Sequence, residues 1–257
     1  MNQKFEKTTN DIAIRLEHVS FAYDKENRVF KDLTFQIRRG EAVGIIGANG
    51  CGKSTLLRML SGLLGHEGTM EVAGLEVTKK NLAEIRRKLG FVFQDSDSQL
   101  FMPRVYDDIA FAPRNYGLSA DEVERLVQQA LERCDAVHLK NKQNYKMSGG
   151  EKRIACISVV LAMQPEIVLM DEPSIALDPY NRRNLIHILN DMTETRLIAS
   201  HDLDMILETC ERVILMDKNG IRADGPASVI LRDKELLESC RLELPYCMQE
   251  IREYHQR

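Results

Sequence analysis

The chain has 257 residues, 44% of them hydrophobic and 29% charged, enough to bury a full core as one compact unit. Its 35 basic and 39 acidic side chains leave a formal charge of -4, which argues against a nucleic-acid binder that relies on a basic surface and favours a protein partner. No apolar run approaches the ~18 residues needed to cross a bilayer, and Met1 to Lys7 lacks the apolar stretch of a signal peptide, so the expectation is a chain made and kept in the cytoplasm.

In chain order, Ile12 to Leu16 alternates as a half-buried strand does. Thr34 to Ile37 and Thr69 to Val72 repeat that period, so the three are expected in an antiparallel sheet at the edge of the core. Ala42 to Ile46 is strand-like and runs into Gly47-Ala48-Asn49-Gly50-Cys51-Gly52-Lys53-Ser54-Thr55, after which Leu56 to Leu60 reads as helix. Strand, glycine loop and helix in that order make a phosphate cradle. Glycines let backbone N–H groups converge, the helix start adds its positive dipole end, Lys53 reaches the β and γ phosphates, and the Ser54 hydroxyl ligates magnesium. Cys51 fills a loop position whose side chain is free to vary, and a harmless small residue is the simplest reading. The loop and helix start would nonetheless lower a thiol pKa there.

Gly90 to Phe93 reads as a core strand ending at Gln94, and the pattern then turns helical to about Met163. Ser119 and Glu122 have capping-box spacing, and Val123, Leu126, Val127, Ala130, Leu131 and Cys134 follow as one apolar face, a helical insertion outside the sheet. Met147-Ser148-Gly149-Gly150-Glu151 is a second backbone built to touch phosphate. One nucleotide needs one cradle, so the second should serve another subunit's nucleotide. Ile167 to Met170 is a continuous apolar run of the kind found in buried parallel strands, which places Asp171 and Glu172 at its carboxyl end, where such sheets hold ligands. Asp171 would hold magnesium, mostly through water, and Glu172 would orient or deprotonate an attacking water. A helix from Pro179 to about Asp191, the strand Arg196 to Ala199, His201, and a strand at Arg212 to Met216 complete the pattern. The six cysteines, Cys51, Cys134, Cys156, Cys210, Cys240 and Cys247, lack paired metal-ligand spacing and read as reduced thiols.

These motifs together resemble the ATP-binding cassette (ABC) ATPases over nearly the whole chain. The resemblance implies an α/β P-loop NTPase fold: a core with a mostly parallel sheet, an antiparallel β subdomain and an inserted α-helical subdomain. Residues 11–244 would form the ATPase domain, with the helical part at about 95–163, between an N-terminal extension (1–10) and a C-terminal tail (245–257). It implies ATP and Mg2+ as ligands and a head-to-tail dimer in which Ser148, Gly149 and Gly150 act on the opposite subunit's nucleotide. Within that frame Tyr23 matches the aromatic that stacks on adenine, and Gln94 the glutamine that reaches magnesium and the water when the helical lobe swings in. His201 matches the switch histidine on the γ-phosphate, and Asp178 the dimer-contact loop.

Three positions depart from the common pattern. Met147 stands for leucine, a volume-conserving change. Glu151 stands for the frequent glutamine; its capping-box spacing from Ser148 turns it back on its own backbone, away from phosphate. Ile175 stands where a small or hydroxyl residue is frequent, which puts one inter-subunit contact in doubt and would suit a non-identical mate.

Val92 to Phe101, Asp107 to Asn115 and Leu242-Glu243-Leu244-Pro245 resemble the energy-coupling-factor (ECF) importers, whose cargo is a vitamin or a cobalt or nickel ion; Gly150 to Arg153 and the tail lean toward the metal-ion branch. That resemblance implies a peripheral subunit on the cytoplasmic face of the membrane, paired with an identical or related ATPase. It would dock through residues 95–117 beneath a transmembrane coupling protein that also carries a substrate-binding membrane protein, with no nucleic acid involved. Two rivals are a soluble cassette acting on DNA or ribosomes, which usually carries a coiled-coil insertion or a second cassette, and a solitary phosphate-loop switch, which leaves Ser148 to Gly150 unexplained.

Overall fold

The computed structural model describes residues 11–24 and 27–249; the extension at 1–10 and the last eight residues of the tail lie outside that range. Five parallel strands form the centre: β3 (Ala42–Ile46), β6 (Leu89–Val92), β7 (Ile167–Asp171), β8 (Thr195–Ala199) and β9 (Arg212–Asp217). With the antiparallel β10 (Gly220–Pro226) they give the order β10-β9-β3-β8-β7-β6. Successive side chains leave a strand on opposite faces. Ile167 and Leu169, Leu197 and Ala199, and Ile214 and Met216 therefore enter one buried cluster, while Val168 and Met170, Ile198, and Val213 and Leu215 enter another. Both faces being covered, these strands read as continuous apolar runs rather than alternating ones.

The first cluster is roofed by an antiparallel sheet in the order β2-β1-β4-β5, with β1 at Ile12–Ala22, β2 at Arg28–Arg38, β4 at Glu67–Val72 and β5 at Leu75–Glu76. Between the two sheets lies α1 (Lys53–Leu60). The second cluster is covered by the helical lobe and the C-terminal helices: α3 (Val105–Asn115), α4 (Ala120–Arg133), α5 (Gly149–Leu161), α6 (Pro179–Asp191), α7 (Leu203–Thr209), α8 (Ala227–Ile230) and α9 (Lys234–Ser239). The short α2 (Leu82–Lys88) leads into β6.

Gly90 to Phe93, expected as a core strand, falls in one: Leu89–Val92 belongs to the central sheet and stands at its edge, where among the described residues it pairs with β7. One sequence expectation needs correction. The antiparallel strands are longer than the alternation suggested, since β-bulges break their period between Leu16 and Val19 and again before Phe21.

Candidate nucleotide site and its second half

The phosphate loop joins β3 to α1, as its sequence order predicts. Gly52 caps α1 with φ +104, and a Cβ there would lie 2.5 Å from the Phe30 ring, so both conformation and space demand glycine. The amides of Lys53, Ser54 and Thr55 stand in the first turn, where no earlier helical carbonyl accepts them. Lys53 is buried, and its ammonium lies back across the loop, donating to the Gly47 carbonyl at 2.8 Å.

Asp171 ends β7, and its carboxylate accepts from the Ser54 hydroxyl at 2.9 Å. Burial pushes the Asp171 carboxyl up; the Ser54 hydrogen bond opposes this and the neighbouring Glu172 adds to it. A cation would relieve that penalty. Hydroxyl and carboxylate oxygens form a hard donor set of the kind magnesium takes, one or two protein ligands with the rest from water and phosphate. The Gln94 side chain is exposed and lines a cavity together with Ser54 and Glu172.

Glu172 has φ +48, a left-handed conformation that costs a non-glycine residue about 1–2 kcal/mol. Its amide donates to the Ala199 carbonyl at 2.8 Å. The turn aims its carboxylate at the end of β8, where one oxygen accepts from the Ser200 hydroxyl (3.2 Å) and the His201 amide (3.2 Å) and meets His201 Nδ1 at 2.7 Å. The acid and the histidine expected to flank a γ-phosphate are thus in direct contact.

Tyr23 follows β1, is 55% exposed, stands edge-on to Phe21, and its hydroxyl meets the Thr55 hydroxyl at 3.1 Å. A cavity of about 310 Å³ is lined by Tyr23, Asn49, Gly50, Gly52 to Thr55, Gln94 and Glu172. Cys51 lies beside it, buried, and its expected low pKa is contradicted: desolvation pushes the thiol up, against the opposing charge of Lys53.

Ser148, Gly149 and Gly150 do not line that cavity. Ser148 caps α5, accepting the Glu151 amide at 3.2 Å, and Glu151 accepts the Ser148 amide at 2.9 Å, so the inferred capping box is present. The Ser148 oxygen accepts within the cap, which leaves its proton to be donated outward. Gly150 is buried against α6, and a Cβ there would come within 2.6 Å of the Asn181 side chain. Asn181 in turn donates to Asp178, the N-cap of α6, at 2.5 Å through its side chain and 3.0 Å through its amide. The glycine pair and the Asp178 turn are therefore packed together. Ile175 is exposed and lines a separate cavity of about 780 Å³ together with His201 and Asp202.

Four contributing residues have no sequence signal. The Arg153 guanidinium, buried in α5, donates to the carbonyls of Phe93 and Gln94 at 2.5 Å each, tying the second glycine motif's helix to the residue that leaves the sheet. Ser200 accepts the Asp202 amide (3.1 Å), and Asp202 holds Arg182 of α6 through two bonds of 2.7 Å, so Glu172 is linked to the helix that begins at Asp178. Lys142 grips Glu151. Apart from the local Ser200–Asp202 turn, these partners lie 9 to 60 residues apart, beyond any local spacing rule.

The fold and this cradle define a P-loop nucleotide-binding ATPase of the cassette type. The ABC transporter family profile matches residues 30–175, and the chain belongs to that family. A Geobacter sulfurreducens protein assigned as an ABC transporter ATP-binding protein is 46% identical over 237 residues, 92% of this chain and 95% of that one. The energy-coupling factor transporter ATP-binding protein EcfA of Methanothermobacter thermautotrophicus is 38% identical, over 90% of this chain and 76% of that one. Among solved structures, CbiO1 from Clostridium perfringens, part of the ABC transporter complex CbiONQ, superposes with a TM-score of 0.81 at 32% identity, covering 91% of this chain and 96% of its own. The chain is thus an ATPase subunit of an ABC transporter, and among the described residues no helix is long and apolar enough to cross a membrane.

Proposed function

We propose that this chain powers an ECF-type importer from the cytoplasmic face of the membrane, pairing head-to-tail with a second ATPase, a copy of itself or a related chain. Uptake of a vitamin or of a cobalt or nickel ion would run through a coupling membrane protein and a substrate-binding membrane protein. The likeness to EcfA and to CbiO1 of CbiONQ supports the branch. The docking role of residues 95–117 draws support from Phe101, 63% exposed and edge-on to Phe111, above a turn fixed by the buried Asp108 carboxylate, which accepts the Phe101 and Met102 amides at 3.0 Å. A cassette acting on DNA or ribosomes is not favoured, the family and both named relatives being transport proteins.

The observation that carries the reading is that the cradle, Gln94 and Glu172 share one cavity from which Ser148 to Gly150 are absent. One protomer then holds half of each reaction centre, and because this chain carries both halves, two copies complete two centres. Tyr23 would stack on adenine, the loop from Gly47 to Thr55 would hold the phosphates, and the partner's α5 would aim Ser148 and its first-turn amides at the γ-phosphate. Ser54, Asp171 and Gln94 would hold magnesium, which when bound neutralises charge on the β and γ oxygens. Glu172 would orient the attacking water or take its proton as the water oxygen bonds to the γ-phosphorus; the bond to the bridging oxygen would break, ADP and phosphate would form, and Lys53 and His201 would stabilise the charge. Asp178 would meet the facing subunit.

The test is Glu172→Gln with MgATP, followed by sedimentation velocity and phosphate release. The expected outcome is a stable dimer with hydrolysis lost; a variant that turns over normally, or that stays monomeric, would overturn the assignment.

A further inference from the structure

The pair Lys142–Glu151 is the feature that the cassette reading leaves unused. Glu151 puts a carboxylate in the first turn of α5, at the positive helix end that the proposed mechanism reserves for another subunit's γ-phosphate. An uncompensated anion there competes for the same dipole and repels the incoming phosphate. Lys142 Nζ meets both carboxylate oxygens, at 2.7 and 2.8 Å, while one of them still accepts the Ser148 amide at 2.9 Å. The lysine hydrogen bond is the main reason the Glu151 carboxyl is held below the usual range, so the charge is present and matched. Both side chains are only partly exposed, 34% and 24%. The Lys142 main chain is fixed as well: its amide donates to Leu139 at 2.8 Å, and its carbonyl accepts the first amide of α3, Val105, at 3.1 Å.

We infer that Lys142 is a positioning residue for the composite site, cancelling the Glu151 charge and holding that carboxylate off the face that receives the partner's ATP. The inference rests on the head-to-tail reading above. It makes the acid tolerable at a phosphate-facing helix start, and it places the counter-charge on the segment joined to α3, the edge of the proposed docking surface.

The test uses the full chain in the Glu172→Gln background and measures the MgATP concentration that gives half-maximal dimer by sedimentation velocity, with the melting temperature of each nucleotide-free variant alongside. Lys142→Ala is expected to need about two- to fivefold more ATP, the scale of one charge at a helix end. Adding Glu151→Gln to it restores the parent value, and Lys142→Arg keeps it. A structural staple would behave differently: Glu151→Gln alone would weaken closure as much as Lys142→Ala, and the double variant would stay weak. Either result overturns the inference, as does a Lys142→Ala variant that closes like its parent. If the Glu172→Gln parent itself remains monomeric, the composite-site reading falls and this inference falls with it; a parent that closes while Lys142→Ala matches it overturns the charge role alone.

Discussion

Cys51 shows how far a residue can depart from its neighbourhood's apparent chemistry. A glycine loop and a helix start favour a thiolate, yet its sulfur is turned inward, and desolvation outweighs both the loop and Lys53. Of the six thiols, all among the described residues, Cys247 alone is exposed. Iodoacetamide at neutral pH should label Cys247 in the folded protein and leave Cys51 untouched until denaturant is added; rapid native labelling of Cys51, read by peptide mass, would contradict its burial. At this scale the sequence was legible where a motif carries its own geometry. Lys53, Ser54, Asp171, Glu172 and the Ser148–Glu151 cap fall where spacing placed them. It was silent on Arg153, Ser200, Arg182 and Lys142, because their partners come from other elements and only the fold brings them near.

Among elements, the contact of α5 with α6 matters most. Gly150 and Asn181 meet so closely that a methyl group at 150 must displace α6 or the Asn181–Asp178 bonds. Gly150→Ala should therefore lower unfolding stability by about 1–3 kcal/mol in urea titration, the usual cost of overpacking, and Asn181→Ala added to it should recover most of the loss. Equal stability of Gly150→Ala and the parent would show that the helices part freely. The lobe's helices and the central strands were readable from period and caps, with the Ser119–Glu122 capping box present. The hairpin strand β10, α8, α9 and the edge position of β6 were not. Short apolar runs near the C-terminus are ambiguous between helix and strand, and strand order depends on crossovers that local pattern does not encode.

For the whole molecule, the proposed division of the site between two protomers would make turnover a second-order property. Specific ATPase activity should rise with protein concentration and level off once dimers dominate, and Ser148→Trp should suppress it while leaving nucleotide binding to the monomer intact. A rate per chain independent of dilution and indifferent to Ser148→Trp would mean that each protomer works alone.

The clip from Arg153 has a consequence of its own. It holds the main-chain oxygens of Phe93 and Gln94, not the amide group of Gln94. A rotation of the lobe would be handed to the sheet through the peptide chain whatever residue occupies position 94, so mechanical transmission and the metal role proposed for Gln94 would be separable: one edited by changing the arginine, the other by changing the glutamine.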